Sequence, residues 1–346
     1  MSNLVRLPKS KERFVYLKYF IVCALFMVAL PLKEAGIIGG SVLLTLGSVL
    51  YYAVIGIGMN VLLGYSGLIT LGGAGFMGLA AYLSAYCTTT LGLPFILSLL
   101  ISVSVPLMIG MVIGIISLRL EGYYLAIATL GISEILKQVF IEFEAFTNGF
   151  SGSRAAHPVL LGTKLTREYT FVFYVLILLV VLVLVHNLIN SAKGRAFLTM
   201  RGSESAAQAM GINLLKHKIT AFAISTVLIA LGGVMYVHLV KFSYPSVWGL
   251  SLSLNMLAIV VIGGMRTALG PVFGALVVVA VPELILKQIP VIGQLPGVAF
   301  VLNGLLIIIV LMFYGGGVIG DGSDLRKLWN RAFKAKTLKN SGSGEV

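Results

Sequence analysis

The sequence predicts an all-α polytopic membrane protein of about ten transmembrane helices (eight to ten), some broken or re-entrant at glycine-rich segments. Three observations predict it. Of 346 residues, 58% are hydrophobic and only 11% are charged. Mean hydropathy is +1.03, far above that of a soluble globular protein. Long apolar runs recur along the whole chain, with no sustained alternation of the kind a β-barrel needs. An unpaired backbone group in lipid costs several kcal/mol, so the runs must close their hydrogen bonds internally, as helices.

The elements follow in order. Residues 1–17 are a basic segment. The apolar stretch Tyr19–Leu32 lies in a first span, 18–32. Its polar lead is long and no small-residue cleavage site follows, so it reads as a retained signal anchor. Further spans are predicted at 37–58, 65–90, 94–118, 122–144, 169–190, 218–240, 250–265, 270–289 and 297–315. The pieces at 65–90 and 250–289 also read as re-entrant or broken, which gives the lower count. The spans form one membrane domain, 18–320, followed by a basic tail, 321–346. Its last six residues, Ser341-Gly342-Ser343-Gly344-Glu345-Val346, read as a flexible end.

Charge orients the spans. The net charge of +13 is concentrated in three clusters. Arg6, Lys9, Lys11, Arg13 and Lys18 face a single acid, Glu12. Lys193, Arg195, Arg201, Lys216 and Lys218 face Glu204. Arg326, Lys327, Arg331, Lys334, Lys336 and Lys339 fill the tail. Basic clusters flanking spans mark the cytoplasmic side, so both termini and the loop 191–217 are expected inside. The same distribution argues against nucleic acid as a partner.

Two loops are expected outside. Residues 145–168 contain Thr147-Asn148-Gly149-Phe150-Ser151-Gly152, then Arg154, His157, Lys164 and Arg167. Residues 241–249 carry Phe242, Tyr244 and Trp248. Both read either as connecting loops with interfacial aromatics or as a docking surface for an external protein.

The 40 glycines cluster. Gly110/Gly114 and Gly270/Gly274 are small-residue pairs of the kind that let helices approach closely. Ser66, Thr70, Ala74 and Gly78 put a small residue at every fourth position, as on one smooth helix face. Gly72-Gly73 and Gly263-Gly264 interrupt apolar segments in the two halves, as broken helices at a transport site would.

Several chemistries are excluded. Gly73 to Gly78 matches GxGxxG literally but has no βαβ context, so it is not a dinucleotide site. No GxxxxGK[ST] occurs, so the chain does not hydrolyse ATP by a P-loop mechanism. Cys23 and Cys87 sit in apolar surroundings and offer neither a disulfide framework nor a metal site. His157, His186, His217 and His238 are scattered and form no ligand set. No catalytic constellation can be assembled. Intramembrane charge is scarce: Glu134 and Lys137 are i, i+3 on one span, and Glu283 and Lys287 are i, i+4 near the end of another. Glu134 reads either as half of a mutual ion pair or as a lining of a substrate or proton path. Glu283 and Lys287 read as a pair that snorkels.

The loop 191–217 is the most informative polar segment. Ser203 can cap a short helix and Glu204 sits where the helix dipole favours an acid. Ala206, Ala207 and Ala209 favour helix, and Gly211 can end it in the left-handed conformation. About two turns of helix are not stable alone in water. A small face of Ala206, Ala207 and Met210 would fit a groove on a partner.

These residues resemble a known family. Arg201-x-x-Glu204-x-Ala206-Ala207-x-x-Met210-Gly211-Ile212 resembles the permease loop of bacterial ABC importers that engages the ATPase subunit. In detail the chain resembles the branched-chain amino-acid permeases of the LivM type. Asn60 to Gly72 resembles the family's first glycine-rich segment, Arg119 to Leu130 with Glu134-Ile135 its middle signature, Thr147-Asn148-Gly149 with Ser151-Gly152 its periplasmic loop, and Val260 to Ala275 its late motif. The likeness runs from about residue 40 to 320, with departures at two places. The family commonly has His where Gly73 stands, and Arg-Pro-Arg-Gly where this chain reads Tyr314-Gly315-Gly316-Gly317.

The resemblance implies a fold like that of type II-like ABC importer permeases, in a bacterial or archaeal cytoplasmic (inner) membrane. It implies a second, related permease of the LivH type, two cytoplasmic ATP-binding subunits, and a periplasmic or lipid-anchored substrate-binding protein. The chain itself would bind no cofactor; ATP and Mg would sit on the ATPase partners. The cargo would be a small amino acid, most naturally Leu, Ile or Val, with urea, amides, or a sugar or nucleoside as alternatives on the same machinery. The more distant alternative is an ion-coupled secondary transporter using Glu134. ATPase coupling would fall to Arg201, Ser203, Glu204, Ala206, Ala207, Met210 and Gly211. Candidates for the translocation path are Asn60, Tyr65, Ser66, Thr70, Gly72, Gly73, Thr129, Glu134, Asn255, Gly263 and Gly264. Binding-protein docking candidates are Thr147, Asn148, Gly149, Ser151 and Gly152.

Overall fold

The computed structural model describes residues 9–36, 38–116, 120, 122–160, 163–284, 301, 304–305 and 308. The span expected at 297–315 and the basic tail 321–346 lie wholly or largely outside them, as do Lys287 and Tyr314 to Gly317. Among the described residues, six helical segments are long and apolar enough to cross a membrane: Val15–Glu34, Gly40–Tyr65, Phe95–Ile116, Tyr123–Glu142, Arg167–Asn190 and Leu214–Val240. Leu250–Gly263 and Gly270–Leu284 are shorter apolar helices.

In chain order the helices are α1 (Lys9–Met27), α2 (Ala29–Glu34), α3 (Gly40–Met59), α4 (Gly73–Thr89), α5 (Phe95–Ile116), α6 (Tyr123–Glu142), α7 (Glu144–Thr147) and α8 (Arg167–Asn190). They continue as α9 (Ala192–Gly202), α10 (Glu204–Ala209), α11 (Leu214–Val240), α12 (Leu250–Gly263), α13 (Gly270–Ala275) and α14 (Val281–Leu284). Two stretches are wound wider, as π-helix: Asn60–Tyr65 at the end of α3, and Leu276–Ala280 between α13 and α14. Such turns are uncommon and tend to mark functional places in a helix.

The core is built on α3 and α11. Over their most apolar windows both are 72% buried, against 22% to 33% for the other four long helices. Helix α11 packs on α3, α4 and α5 together. Glycine permits this closeness, for a Cβ at Gly110 of α5 would stand 2.3 Å from Thr226 Oγ1 of α11.

The opposite end from residues 191–217 carries the only strands described. β1 (Ser153–Arg154) pairs antiparallel with β4 (Phe242–Ser243), and β2 (Val159–Leu160) pairs with β3 (Thr163–Lys164). The two loops that sequence reading treats separately, 145–168 and 241–249, are therefore tied into one cap.

Two expectations are corrected, and of the two readings of residues 65–90 the broken one holds: α4 begins at Gly73, and residues 66–72 are non-helical. Ser66, Thr70, Ala74 and Gly78 therefore do not share a helix face, since only the last two lie in α4. Trp248 is not interfacial but fully buried, its ring 5.1 Å from Tyr236 and packed where Gly78 leaves room. Its indole N–H donates to Ser243 Oγ at 3.2 Å, which removes the reason to stay near water.

Candidate functional site

At the basic end, the loop 191–217 folds as two helices rather than one. Helix α9 seats Phe197 and Met200 in the core. Ser203, extended at φ −162° and ψ 122°, ends α9 and opens α10, and its Oγ accepts from the Ala206 N–H at 3.2 Å. Gly211, at φ 78°, follows α10, and Asn213 caps α11 by accepting from the Lys216 N–H at 3.0 Å.

The orientation of α10 differs from expectation. Ala207 is completely buried within this chain, while Ser205, Ala206, Gln208, Ala209 and Met210 are exposed. The inward pull comes from Glu204, whose carboxylate meets Lys218 Nζ of α11 at 2.8 Å. Lys218 is 1% exposed, so its charge must be compensated in place. Ala207 thus belongs to the seat of α10, and Ala206 and Met210 to its free face.

Arg201 turns the other way. Its guanidinium donates to the Gly64 carbonyl in the π turn that ends α3. Burial, and then neighbouring Arg266, hold its pKa below the ordinary arginine value. The same turn is bound to residues 266–267, which join α12 to α13. Asn60 Nδ2 donates to the Thr267 carbonyl at 2.8 Å, and its Oδ1 accepts from the Arg266 N–H at 3.0 Å. The Tyr65 hydroxyl donates to the Arg266 carbonyl at 2.6 Å. Gly64 is obligatory here, for a Cβ would lie 2.0 Å from Asn60 Oδ1. Gly264, at φ 114°, ends α12, and a Cβ on Gly263 would lie 2.0 Å from the Gly270 carbonyl oxygen.

A second junction gathers the free N-terminal amides of α4. Leu71 N–H donates to Thr129 Oγ1 (3.0 Å), Gly72 N–H to Thr70 Oγ1 (3.2 Å), Ala74 N–H to Ser253 Oγ (3.1 Å) and Gly75 N–H to Ser133 Oγ (2.9 Å). A helix start inside a bundle needs such partners, and hydroxyls from α6 and α12 supply them. A Cβ on Gly73 would lie 2.8 Å from Met256 Sδ, so the His common at this place would require Met256 to move.

The candidate path residues therefore separate. Asn60, Tyr65, Ser66, Thr70 and Thr129 are buried, with polar groups engaged in bonds within the chain; Ser66 Oγ donates to the Leu62 carbonyl at 2.5 Å. Gly72, Gly73, Gly263 and Gly264 stand at the two breaks. Glu134 pairs with Lys137 at 3.4 Å on the exposed side of α6. Asn255 lines a cavity, about 450 Å³, between α3, α12 and α14. Sequence reading missed most of that cavity: Ser41, Thr45, Ser48 and Tyr52 recur at spacings of 4, 3 and 4 along α3, a signal present in the sequence.

At the opposite end, Thr147 Oγ1 donates to the Phe140 carbonyl at 2.6 Å and accepts from the Gly149 N–H at 3.1 Å. Asn148, Ser151 and Gly152 line a second cavity, about 460 Å³, with Arg154 and Phe242. Lys241 Nζ is buried without a hydrogen bond among the described residues. Burial, then the charge of Arg167, pulls its pKa down to about 8.

Residues 41–312 match the family described as branched-chain amino acid transport system / permease component. The chain is 32% identical over 258 residues to the high-affinity branched-chain amino acid transport system permease protein LivM of Salmonella typhimurium, covering 67% of this chain and 61% of that protein. It is 26% identical over 261 residues to a probable branched-chain amino acid transport permease protein LivM of Methanocaldococcus jannaschii (70% and 73%). It is 26% identical over 194 residues to the ribose import permease protein RbsC of Haemophilus influenzae (53% and 59%). No solved structure matches. The chain belongs to the branched-chain amino acid transport permease family.

Proposed function

We propose that this member of the family is the membrane permease of an ATP-driven ABC importer that carries branched-chain amino acids, Leu, Ile and Val, into a bacterial or archaeal cell by alternating access. The 32% identity to LivM supports the cargo over the sugar of the more distant relative. ATP and Mg sit on two separate cytoplasmic subunits, a reading that the lack of a P-loop in this sequence supports. A second permease of the LivH type completes the membrane core, and a periplasmic or lipid-anchored binding protein delivers substrate. The termini and residues 191–217 are cytoplasmic, and the spans of residues 18–320 number eight to ten.

One observation carries this reading. Helix α10 is held by a half-buried ion pair and a buried alanine, yet presents Ser205, Ala206, Ala209 and Met210 outward. A six-residue helix so firmly seated, with an exposed small-residue face, suits a knob that fits a partner's groove. Closure of the ATPases would press α10. Glu204–Lys218 would pass the displacement to α11. Arg201 would pass it to the π turn of α3, and Asn60 and Tyr65 onward to the α12–α13 turn. Coupling of this kind moves packed elements as rigid bodies. Glu134 suits an ion-coupled carrier less well, because Lys137 on the same helix already compensates its charge.

The test is copurification from native membranes with Met210→Arg plus Ala206→Trp, which alters the free face and leaves the seat untouched. Two ATPases and a second permease with the unaltered chain, lost in the variant, are expected. A solitary chain in both samples overturns the importer.

A further inference from the structure

Three helices leave a groove on one flank of the bundle. It lies between α5, α8 and α11, measures about 350 Å³ and is lined only by Leu, Val, Ile and Ala. Leu107 on α5, Leu184 and Leu188 on α8, and Ala223 and Val227 on α11 belong to its walls. From Val181 to Leu188 it follows α8 for about 10 Å, or two turns. Leu184 is 61% exposed, so the groove faces outward rather than into the core. Large aliphatic walls of this kind suit hydrocarbon, whereas helix contacts within a membrane are built on small and polar residues. The exposed side of α6 is the contrast, with Glu134, Gln138 and Glu142 all on it.

The groove ends under positive charge. On α11, Lys216, Thr220, Ala223 and Val227 fall at spacings of 4, 3 and 4, which sets them on one face. Lys216 is exposed, and about 10 Å of helix separates it from Ala223, the part of the α11 wall nearest the basic end. Thr220 turns its hydroxyl back to the Lys216 carbonyl at 2.7 Å, which keeps its polar atom on the helix backbone. Helix α9 stands beside this corner, for the Phe197 ring meets the His217 ring edge-on at 6.2 Å. It brings exposed Lys193 and Arg195 to the same end of the bundle. Between residues 185 and 220 the one carboxylate is Glu204, which pairs with Lys218.

We infer that this groove is a binding site for an anionic phospholipid, its acyl chain laid along α8 and its phosphate at Lys216. With the basic end inside, as proposed above, the lipid comes from the cytoplasmic leaflet, where a lysine near the surface attracts anionic headgroups. The methylene stem of Lys216 follows the helix while its ammonium stays among the headgroups. Lys193 and Arg195 add to the positive potential at this end. The chain fills a space that α5, α8 and α11 leave unfilled, and the phosphate meets a cation in line with it, so the two halves of one molecule match two features of one helix face. A lipid seated here braces α11, the helix to which α10 is tied through Lys218.

The experiment uses the whole complex purified in mild detergent, with bound lipid counted by native mass spectrometry and ATPase recovery read on the same samples. Phosphatidylglycerol and phosphatidylcholine with identical chains are the probes. The unaltered chain is expected to bind phosphatidylglycerol about five-fold more tightly, the preference one lysine near the surface provides. Lys216→Gln is expected to abolish that preference with phosphatidylcholine binding unchanged, and Lys216→Arg to keep it. Ala223→Phe, which fills the groove, is expected to weaken both lipids several-fold. Should Ala223→Phe disturb assembly, Ala223→Leu is read in its place. Glycerol phosphate, a headgroup without a chain, is expected not to displace phosphatidylglycerol at equal concentration; displacement assigns Lys216 to free phosphate and overturns the lipid site. Equal binding of the two lipids by the unaltered chain, or a preference that survives Lys216→Gln, also overturns it, and ATPases still copurifying leave the importer standing. A preference that Lys216→Gln abolishes, in a chain that recovers no ATPase, supports the lipid site and overturns the importer alone.

Discussion

The two ends of the bundle use polar residues in opposite ways. At the basic end, Asn60, Tyr65, Arg201 and Glu204 all make bonds within the chain, and those of Asn60, Tyr65 and Arg201 join elements distant in sequence. At the other end, hydroxyls, amides and Glu283 border open volume. The difference teaches what each end can do. A closed network transmits displacement, because its groups have one arrangement that satisfies them. An open recess leaves room beside its polar groups that a packed network does not.

Breaking the closed end should have the largest effects. Gly263→Ala drives a Cβ against the Gly270 carbonyl oxygen, backbone that cannot move aside cheaply. A stability loss of about 3 kcal/mol or more and loss of uptake are expected. Gly131→Ala, with nothing within 4 Å, should be neutral or slightly stabilising in the same thermal melts. Asn60→Ala strands the Arg266 N–H and the Thr267 carbonyl in a buried place. It should cost about 2–4 kcal/mol and depress maximal leucine uptake without changing KM. A change confined to KM would put Asn60 among the groups that border open volume and break the comparison.

Glu204→Ala comes next. It removes a partner from buried Lys218 but is itself 37% exposed, so about 2 kcal/mol is expected, between the values for surface and buried pairs. Uncoupling of ATPase rate from uptake is the readout that sharpens the contrast. The smallest effect belongs to Lys241 in the cap. Its folded pKa, about 8, lies below the ordinary lysine value of 10.5. The folded chain therefore binds fewer protons than the unfolded one between those values, and stability rises with pH across that window. Lys241→Met should flatten the rise in melting temperature between pH 8 and 10. A slope unchanged by the substitution would assign the pH dependence to other groups of the cap.

Much of the chain was legible because its causes are local. Hydropathy alone marks the long helices, since lipid demands apolar runs. Ser203 and Gly211 mark the ends of α10, because a cap acts within one turn of its own position. The breaks at Gly72-Gly73 and Gly263-Gly264 were legible for the same reason.

What only the tertiary structure decided involves partners far away in sequence. The buried side of α10 is unreadable from a run in which Ala206, Ala207 and Ala209 are nearly equivalent; Lys218, on α11, chooses it. The amide of Asn60 looks alike whether it lines a path or binds a turn 206 residues away. Trp248 resembles any interfacial tryptophan until Gly78 opens a place for it. Sequence periodicity records which positions share a face, but packing decides what that face meets, because burial is a property of the neighbours as much as of the residue itself.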